Sequence, residues 1–293
     1  MIQGSASQPG ISAPRYGPRQ LVLASVRSLI TDHQLEAHAS SCCGTSLRAT
    51  SGRGSTVQTP QLARLTQAWG NRESVSLFLQ RCQIATPESV VEAAWRHVHT
   101  LRSTIGTVVD FGAGDGRFAH YGQYREYFGY EIDRSLCMQA QLPTSATLLN
   151  VCAFSEIVMD ADLCIGNPPF VRNQDLPTGW REYATSVIRS RIGVNISGLA
   201  NAWQYFFFLG LLSVRSDGLC VLVLPYEWVS RPSAKVIREY IVANAWNVSV
   251  YRLVDTTFNS VLTTSCITIV DKSKREGKWS YFEEMADGGT CQP

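Results

Sequence analysis

From residue 107 onward the chain alternates short apolar, β-rich runs with stretches of helical spacing. Residues 107–111, 127–132, 147–151, 162–166 and 219–224 read as strands, each bounded by glycine, proline or a charged turn. Residues 118–126, 200–215 and 232–243 carry helical patterns between them. Two further β-rich runs, 248–254 and 265–270, follow with only a short link. Strand and helix in alternation predict an α/β fold: a doubly wound, mostly parallel, Rossmann-like sheet of seven strands covered on both faces. The helix-free last pair predicts an antiparallel hairpin at one edge. Upstream, residues 1–19 are rich in Gly, Ser, Pro and Gln and read as disordered. Residues 21–35 permit one helix, 39–57 read as a loop, and Thr59-Pro60 opens another helix with proline at its first position. Thr86-Pro87-Glu88-Ser89 reads as a cap for a helix running to about His99. The pattern divides the chain into an N-terminal flexible and helical extension (1–58), one large domain (59–282) and a tail (283–293).

Composition narrows the class without deciding it. Of 293 residues, 45% are apolar, enough for a sizeable core. A formal charge of +2 neither demands nor excludes a nucleic-acid partner, because a basic patch can hide in a neutral total. Nine scattered cysteines form no C-x-x-C pair and no zinc spacing, so a reduced, cytoplasmic protein without a structural metal is expected. No signal-peptide layout is present, and the apolar cluster 205–212 is too short to cross a bilayer.

Two segments carry chemistry. Asp110-Phe111-Gly112-Ala113-Gly114-Asp115-Gly116 is a glycine turn after a strand, where the backbone can approach a ligand. Its spacing is G-x-G-x-G, not the G-x-G-x-x-G of nicotinamide binders. Glu131 follows at the end of the next strand, where an acid chelates a ribose diol. NAD, FAD and S-adenosylmethionine all use this arrangement. Asp110 either faces the ligand or caps the turn. The second segment, Asn167-Pro168-Pro169-Phe170, leaves the fourth strand. In a doubly wound order its position neighbours the glycine turn. The Asn167 oxygen and the Pro168 carbonyl suit the two protons of a planar amine, the prolines fix the backbone, and Phe170 offers a face for stacking. Together the two segments point to a methyltransferase that uses S-adenosylmethionine and modifies a planar amino nitrogen.

On these motifs the chain resembles the amino-methyltransferases that modify adenine N6 in DNA, in the gamma arrangement, with the Asn-Pro-Pro-Tyr/Phe motif after the cofactor motif. The resemblance covers residues 54–272 or so. It implies a methyltransferase fold, S-adenosylmethionine as cofactor, DNA as substrate, and a restriction-modification or related defence system. It implies that the segment ending in Thr59-Pro60 packs on the cofactor's methionine, that Asp110, Gly112, Gly114 and Gly116 form the cofactor loop, and that Glu131 and Ile132 hold its ribose. Residues 224–228 and Arg238 match the segment after strand five. Asn167, Pro168, Pro169 and Phe170 are the implied catalytic set. Phe170 and Phe258 would sandwich a flipped adenine, although Phe258 also reads as a core aromatic. Where the family places an aspartate for the cofactor's adenine, this chain has Cys152, a weak acceptor, with Asn150 as a substitute and Phe154 as a ring to pack on it.

Gamma-arranged DNA enzymes read sequence with a domain beyond the last strand, which here ends near Val270. The expectations are therefore a separate specificity subunit, a split gene, or a different substrate. Arg172, Arg181, Arg189 and Arg191 follow the motif in a loop-rich stretch, where a solvated face is the default and a phosphate contact the alternative. Two other functions stay open: methylation of another planar nitrogen (protein glutamine or an RNA base), and a non-catalytic module that only binds.

Overall fold

A computed structural model describes residues 85–155, 160–254, 264–284 and 289–291. The expected N-terminal extension, Thr59, Pro60 and Phe258 lie outside the described residues.

The described elements run α1 (Glu88–Leu101), β1 (Ile105–Phe111), β2 (Tyr124–Tyr130), α2 (Arg134–Gln139), β3 (Ala146–Leu149), β4 (Ala161–Gly166), α3 (Thr178–Ile192), α4 (Ala202–Ser213), β5 (Val214–Pro225), α5 (Lys235–Ala243), β6 (Asn247–Arg252), β7 (Ser265–Asp271), β8 (Trp279–Glu284) and β9 (Thr290–Cys291). They form one mixed sheet in the order β3-β2-β1-β4-β5-β7-β6-β8-β9. Strands β3, β2, β1, β4 and β5 are mutually parallel. All residues of β7 are buried, and β7 runs antiparallel between β5 and β6. This is the α/β sheet that the alternation of patterns predicts, with its antiparallel part at one side.

The sheet has nine strands among the described residues, not seven. The pair β6–β7 is not the edge, because β8 adds parallel to β6 and β9 closes on β8. Strand β8 crosses the boundary expected at residue 282. Its signal is weak: its side chains are mostly half-exposed, so no apolar alternation marks it.

Two helix expectations need correction. Between β1 and β2 there is only a short 3₁₀ turn, Arg117–His120, and not a helix over 118–126. Side chains take the groups a longer helix would use. Trp95 Nε1 donates to the Phe118 carbonyl at 2.8 Å, Tyr124 Oη donates to the Ala119 carbonyl, and the Gln123 amide donates to His99 Nε2 at 3.1 Å. Conversely, the stretch read as loop-rich after the motif contains α3. Only Trp180, Ala184 and Ile188 are buried on it, a stripe one residue wide at four-residue spacing. Arg181, Arg189 and Arg191 sit on this helix, and Arg172 is exposed before it.

The core lies on both faces of the sheet. Helix α1 presents Val90, Val91, Ala94, Trp95 and Val98 to Val108, Tyr127, Leu163 and Val221. Helix α4 is apolar all round, and eleven of its twelve residues are buried, as expected of a helix covered on every side. These two packings hold the carboxyl ends of β1 and β4 side by side. Among the described residues no helix is long and apolar enough to cross a membrane.

Candidate active site

The site lies where β1, β2 and β4 end. Gly112, Gly114 and Gly116 have φ of +80°, +60° and +77°, backbone that a side chain would strain. The turn is tied down at its start: the Gly112 and Ala113 amides both donate to the Tyr130 carbonyl, at 2.8 and 3.0 Å. Its middle is held by Glu131. One carboxylate oxygen accepts from the Gly114 amide at 2.8 Å, the other from the Asp133 amide at 2.7 Å. A carboxylate has about four acceptor positions, so each oxygen keeps capacity for a ligand hydroxyl. Burial raises the Glu131 pKa, and those backbone amides oppose the rise.

Asp110 forms the floor. It is fully buried, accepts from Tyr127 Oη at 2.6 Å, and keeps Oδ1 buried and without a partner among the described residues. A Cβ on Gly166 would come within 2.2 Å of that oxygen. Glycine at the end of β4 therefore makes room for the Asp110 carboxyl beneath the Asn167 motif. Loss of hydration pushes the Asp110 carboxyl up to about 7, and the neighbouring acids add to the rise. A folded pKa above the ordinary value means that the native state binds the extra proton. Stability from this group is complete below about pH 4 and is lost as pH rises through 7. The loss amounts to about 4 kcal/mol at most. Urea unfolding of wild type from pH 4.5 to 8 is expected to show this decline, and Asp110→Asn is expected to remove most of it. An unchanged slope in the variant would refute the assignment.

Asn167 sits across the cleft. Its Nδ2 donates to Thr86 Oγ1 at 3.0 Å, and its Oδ1 is buried without a partner among the described residues. Pro168 is buried, while Pro169 and Phe170 are half-buried. Thr86 does not cap α1, as its sequence context suggests: no side-chain cap bond forms there. The Thr86 carbonyl instead accepts from the Arg117 guanidinium. Arg117 also forks onto Asp115 at 3.0 and 2.6 Å and holds that carboxyl below its ordinary range. The segment before α1 is thus clamped to the glycine turn.

The cleft has two chambers that share Gly112, Glu131 and Asn167. The larger, ≈ 190 Å³, lies over the glycine turn between Thr86, Asp110 and Phe118. The smaller, ≈ 60 Å³, is walled by Ile132, Cys152, Pro169, Trp180 and Phe206. Cys152 lies on this wall, its thiol pKa raised by burial. Asn150 donates to the Glu131 and Ile132 carbonyls, both at 3.0 Å, and so braces the loop after β2. Phe154 is not on the wall. It meets Trp180 and Phe206 edge-on, with centroids 5.5 and 5.3 Å away, and supports them from behind. Among residues 224–228, Trp228 is buried and donates to Thr268 Oγ1 at 2.9 Å, and Arg238 donates to the Trp228 carbonyl at 2.7 Å.

The structure therefore brings Asp110, Gly112, Gly114, Glu131, Ile132, Cys152, Asn167 and Pro169 to one cleft, while Gly116 packs against Leu142, and Pro168 and Phe170 do not line the two chambers. Sequence reasoning did not single out Thr86, Arg117, Trp180 or Phe206 as site residues, and Thr86 read only as a cap. Thr86-Pro87 repeats the dipeptide Thr59-Pro60, a signal that was available. Phe206 lies in a uniformly apolar helix, where a wall residue and a core residue look alike.

Known proteins resemble this chain in sequence and in fold. The Type II methyltransferase M.XamI from Xanthomonas campestris pv. amaranthicola is 23% identical over 222 residues, covering 70% of this chain and 42% of that protein. The methyltransferase subunit of a type I restriction-modification system from Streptococcus thermophilus is 17% identical, with a TM-score of 0.57 over 72% of this chain and 50% of its own. A Listeria monocytogenes protein assigned to the class I S-adenosylmethionine-dependent methyltransferases is 15% identical, with a TM-score of 0.52 over 75% of this chain and 70% of its own. At these identities the structural likeness establishes the fold. The chain spans less than half the length of M.XamI and half that of the Streptococcus subunit. Residues 126–259, which include Glu131 and the Asn167–Phe170 motif, match the model of the Eco57I restriction-modification methylase family.

Proposed function

We propose that the chain transfers a methyl group from S-adenosylmethionine to N6 of adenine in DNA, as the modification part of a restriction-modification system. The observation that carries this reading is Asn167: it lines a cleft shared with the glycine turn and Glu131, and its side-chain oxygen is buried and without a partner among the described residues. A buried acceptor without a donor costs about 1–3 kcal/mol. A substrate amine relieves that cost.

The residues fit the cofactor. Gly112 and Gly114 let the backbone close on it, Glu131 offers acceptors to ribose hydroxyls, and Asp110 places an acid under the larger chamber. The smaller chamber, with Ile132, Pro169 and Phe206, suits a flat purine. When bound, S-adenosylmethionine supplies a methyl group on a cationic sulfur. Asn167 and the Pro168 carbonyl would accept from the two amine protons of adenine, drawing the nitrogen toward tetrahedral geometry so that its lone pair is free, and the proton that the methylated nitrogen must lose would pass to solvent. No strong base is required, because alignment and fixed dipoles lower the barrier. Phe170 stacks on the base, a contact of roughly 1–3 kcal/mol that offsets part of the cost of extruding it from the duplex. DNA and a specificity subunit are the partners that this reading implies.

Incubation with methyl-labelled S-adenosylmethionine and duplex DNA, followed by digestion to nucleosides, tests the reading. Labelled N6-methyladenine is expected, in the presence of the specificity partner where one is needed. Label in protein or RNA, or none at all, would overturn it.

A further inference from the structure

We infer that Thr86 is a positioning residue for Asn167, locking the carboxamide so that its outer edge faces the substrate amine. The inference rests on the reading of Asn167 given above and extends it to a residue outside the Asn-Pro-Pro-Phe motif. Thr86 lies eighty-one positions upstream of Asn167 and is 5% exposed. Its hydroxyl bonds one edge of the carboxamide at 3.0 Å, and the opposite edge, Oδ1, remains buried and without a partner among the described residues. Without Thr86 the carboxamide would be free to turn about its last torsion, a broad and shallow one. A threonine hydroxyl accepts or donates, so it bonds either end of an amide. The incoming amine, which needs an acceptor, selects the oxygen-outward state, and Thr86 holds that plane.

Thr86 is itself fixed, which a positioning group requires. Pro87 follows it and restricts its backbone to extended conformations. The Arg117 guanidinium bonds its carbonyl, and Asp115 fixes that guanidinium by two further bonds. The Val90 and Val91 amides bond the Pro87 carbonyl, and no side-chain cap bond forms, so the Thr86 hydroxyl is not used as a cap. The chain thus runs Asp115, Arg117, Thr86, Asn167, from the glycine turn to the reacting edge.

The test is Thr86→Val, which keeps shape and loses the hydroxyl, beside Thr86→Ser, which restores it. Thr86→Val is expected to lower kcat about tenfold while the DNA KM moves by less than about threefold. Thr86→Ser is expected to recover to within about threefold of wild type. In an Asn167→Ala background, Thr86→Val is expected to cost nothing further, because the two residues act as one unit. Side-chain amide NMR gives a readout independent of turnover. The Asn167 Nδ2 signals, assigned by their loss in Asn167→Ala, are expected to shift or broaden in Thr86→Val. Full kcat in Thr86→Val, additive losses in the double variant, or unmoved amide signals would overturn the inference. If wild type transfers no methyl group, the reading of Asn167 fails, and the NMR arm still decides whether Thr86 holds the carboxamide.

Discussion

Asn167→Ala is expected to lower methyl transfer to DNA by about 10²–10³-fold, the scale seen when one preorganised polar group is removed from a charge-developing site. The substitution deletes Oδ1, which has no partner among the described residues, and under the proposed mechanism leaves the Pro168 carbonyl as the single acceptor. One acceptor cannot pull both amine protons out of the ring plane, so the lone pair stays delocalised. Cofactor affinity is expected to change by less than about threefold, under 1 kcal/mol, because the glycine turn and Glu131 are untouched. Single-turnover rates with labelled cofactor, beside calorimetry of cofactor binding, separate the two quantities. Asn167→Asp keeps acceptors at the same place and is expected to lose less. Wild-type rates in Asn167→Ala would remove the central residue of the mechanism.

Glu131→Ala is expected to weaken S-adenosylmethionine binding by about a hundredfold, near 3 kcal/mol. Two losses combine. The ribose loses its acceptors, and the Gly114 and Asp133 amides lose theirs. A backbone N–H left unpaired in a part-buried place costs about 1–3 kcal/mol unless the loop moves to find water. The glycine turn is therefore expected to loosen as well. Glu131→Gln keeps one acceptor but turns an NH₂ group toward a backbone N–H, so it is expected to fall between wild type and alanine. Calorimetric titration of the three proteins checks the order. Equal affinity in wild type and Glu131→Ala would show that the ribose is held elsewhere.

Much of this site was legible because its chemistry is local in sequence. A positive-φ turn needs glycine at 112, 114 and 116 whatever surrounds it, and the acid at 131 follows one strand later. The two prolines at 168 and 169 stiffen the exit from β4 by covalent geometry alone. That β1 and β4 end side by side was legible from the doubly wound alternation: parallel neighbours need long crossovers, and the spacing of the apolar runs leaves room for them.

What stayed hidden depends on contacts between distant segments. The absent helix after β1 is a competition for the Phe118 and Ala119 carbonyls, won by Trp95 and Tyr124 from other elements. Thr86 reads as a cap in its own sequence, and becomes part of the site because Asn167 arrives beside it. Cys152, as a weak acceptor, and Phe154, as a ring to pack on, both read as candidates for the cofactor's adenine. Packing put one on the wall and the other behind Trp180 and Phe206.

By itself, the order of residues determined the layered α/β architecture, the glycine turn, its acid, and the amide-proline exit from β4, since each follows from backbone sterics or from apolar periodicity within a few neighbours. Only the tertiary structure decided that β7 lies inside the sheet, that Asp110 is buried under Gly166, and that Thr86 and Arg117 join the cleft. Those outcomes turn on which buried donor meets which acceptor across long stretches of chain, and that is settled only when the whole sheet has closed.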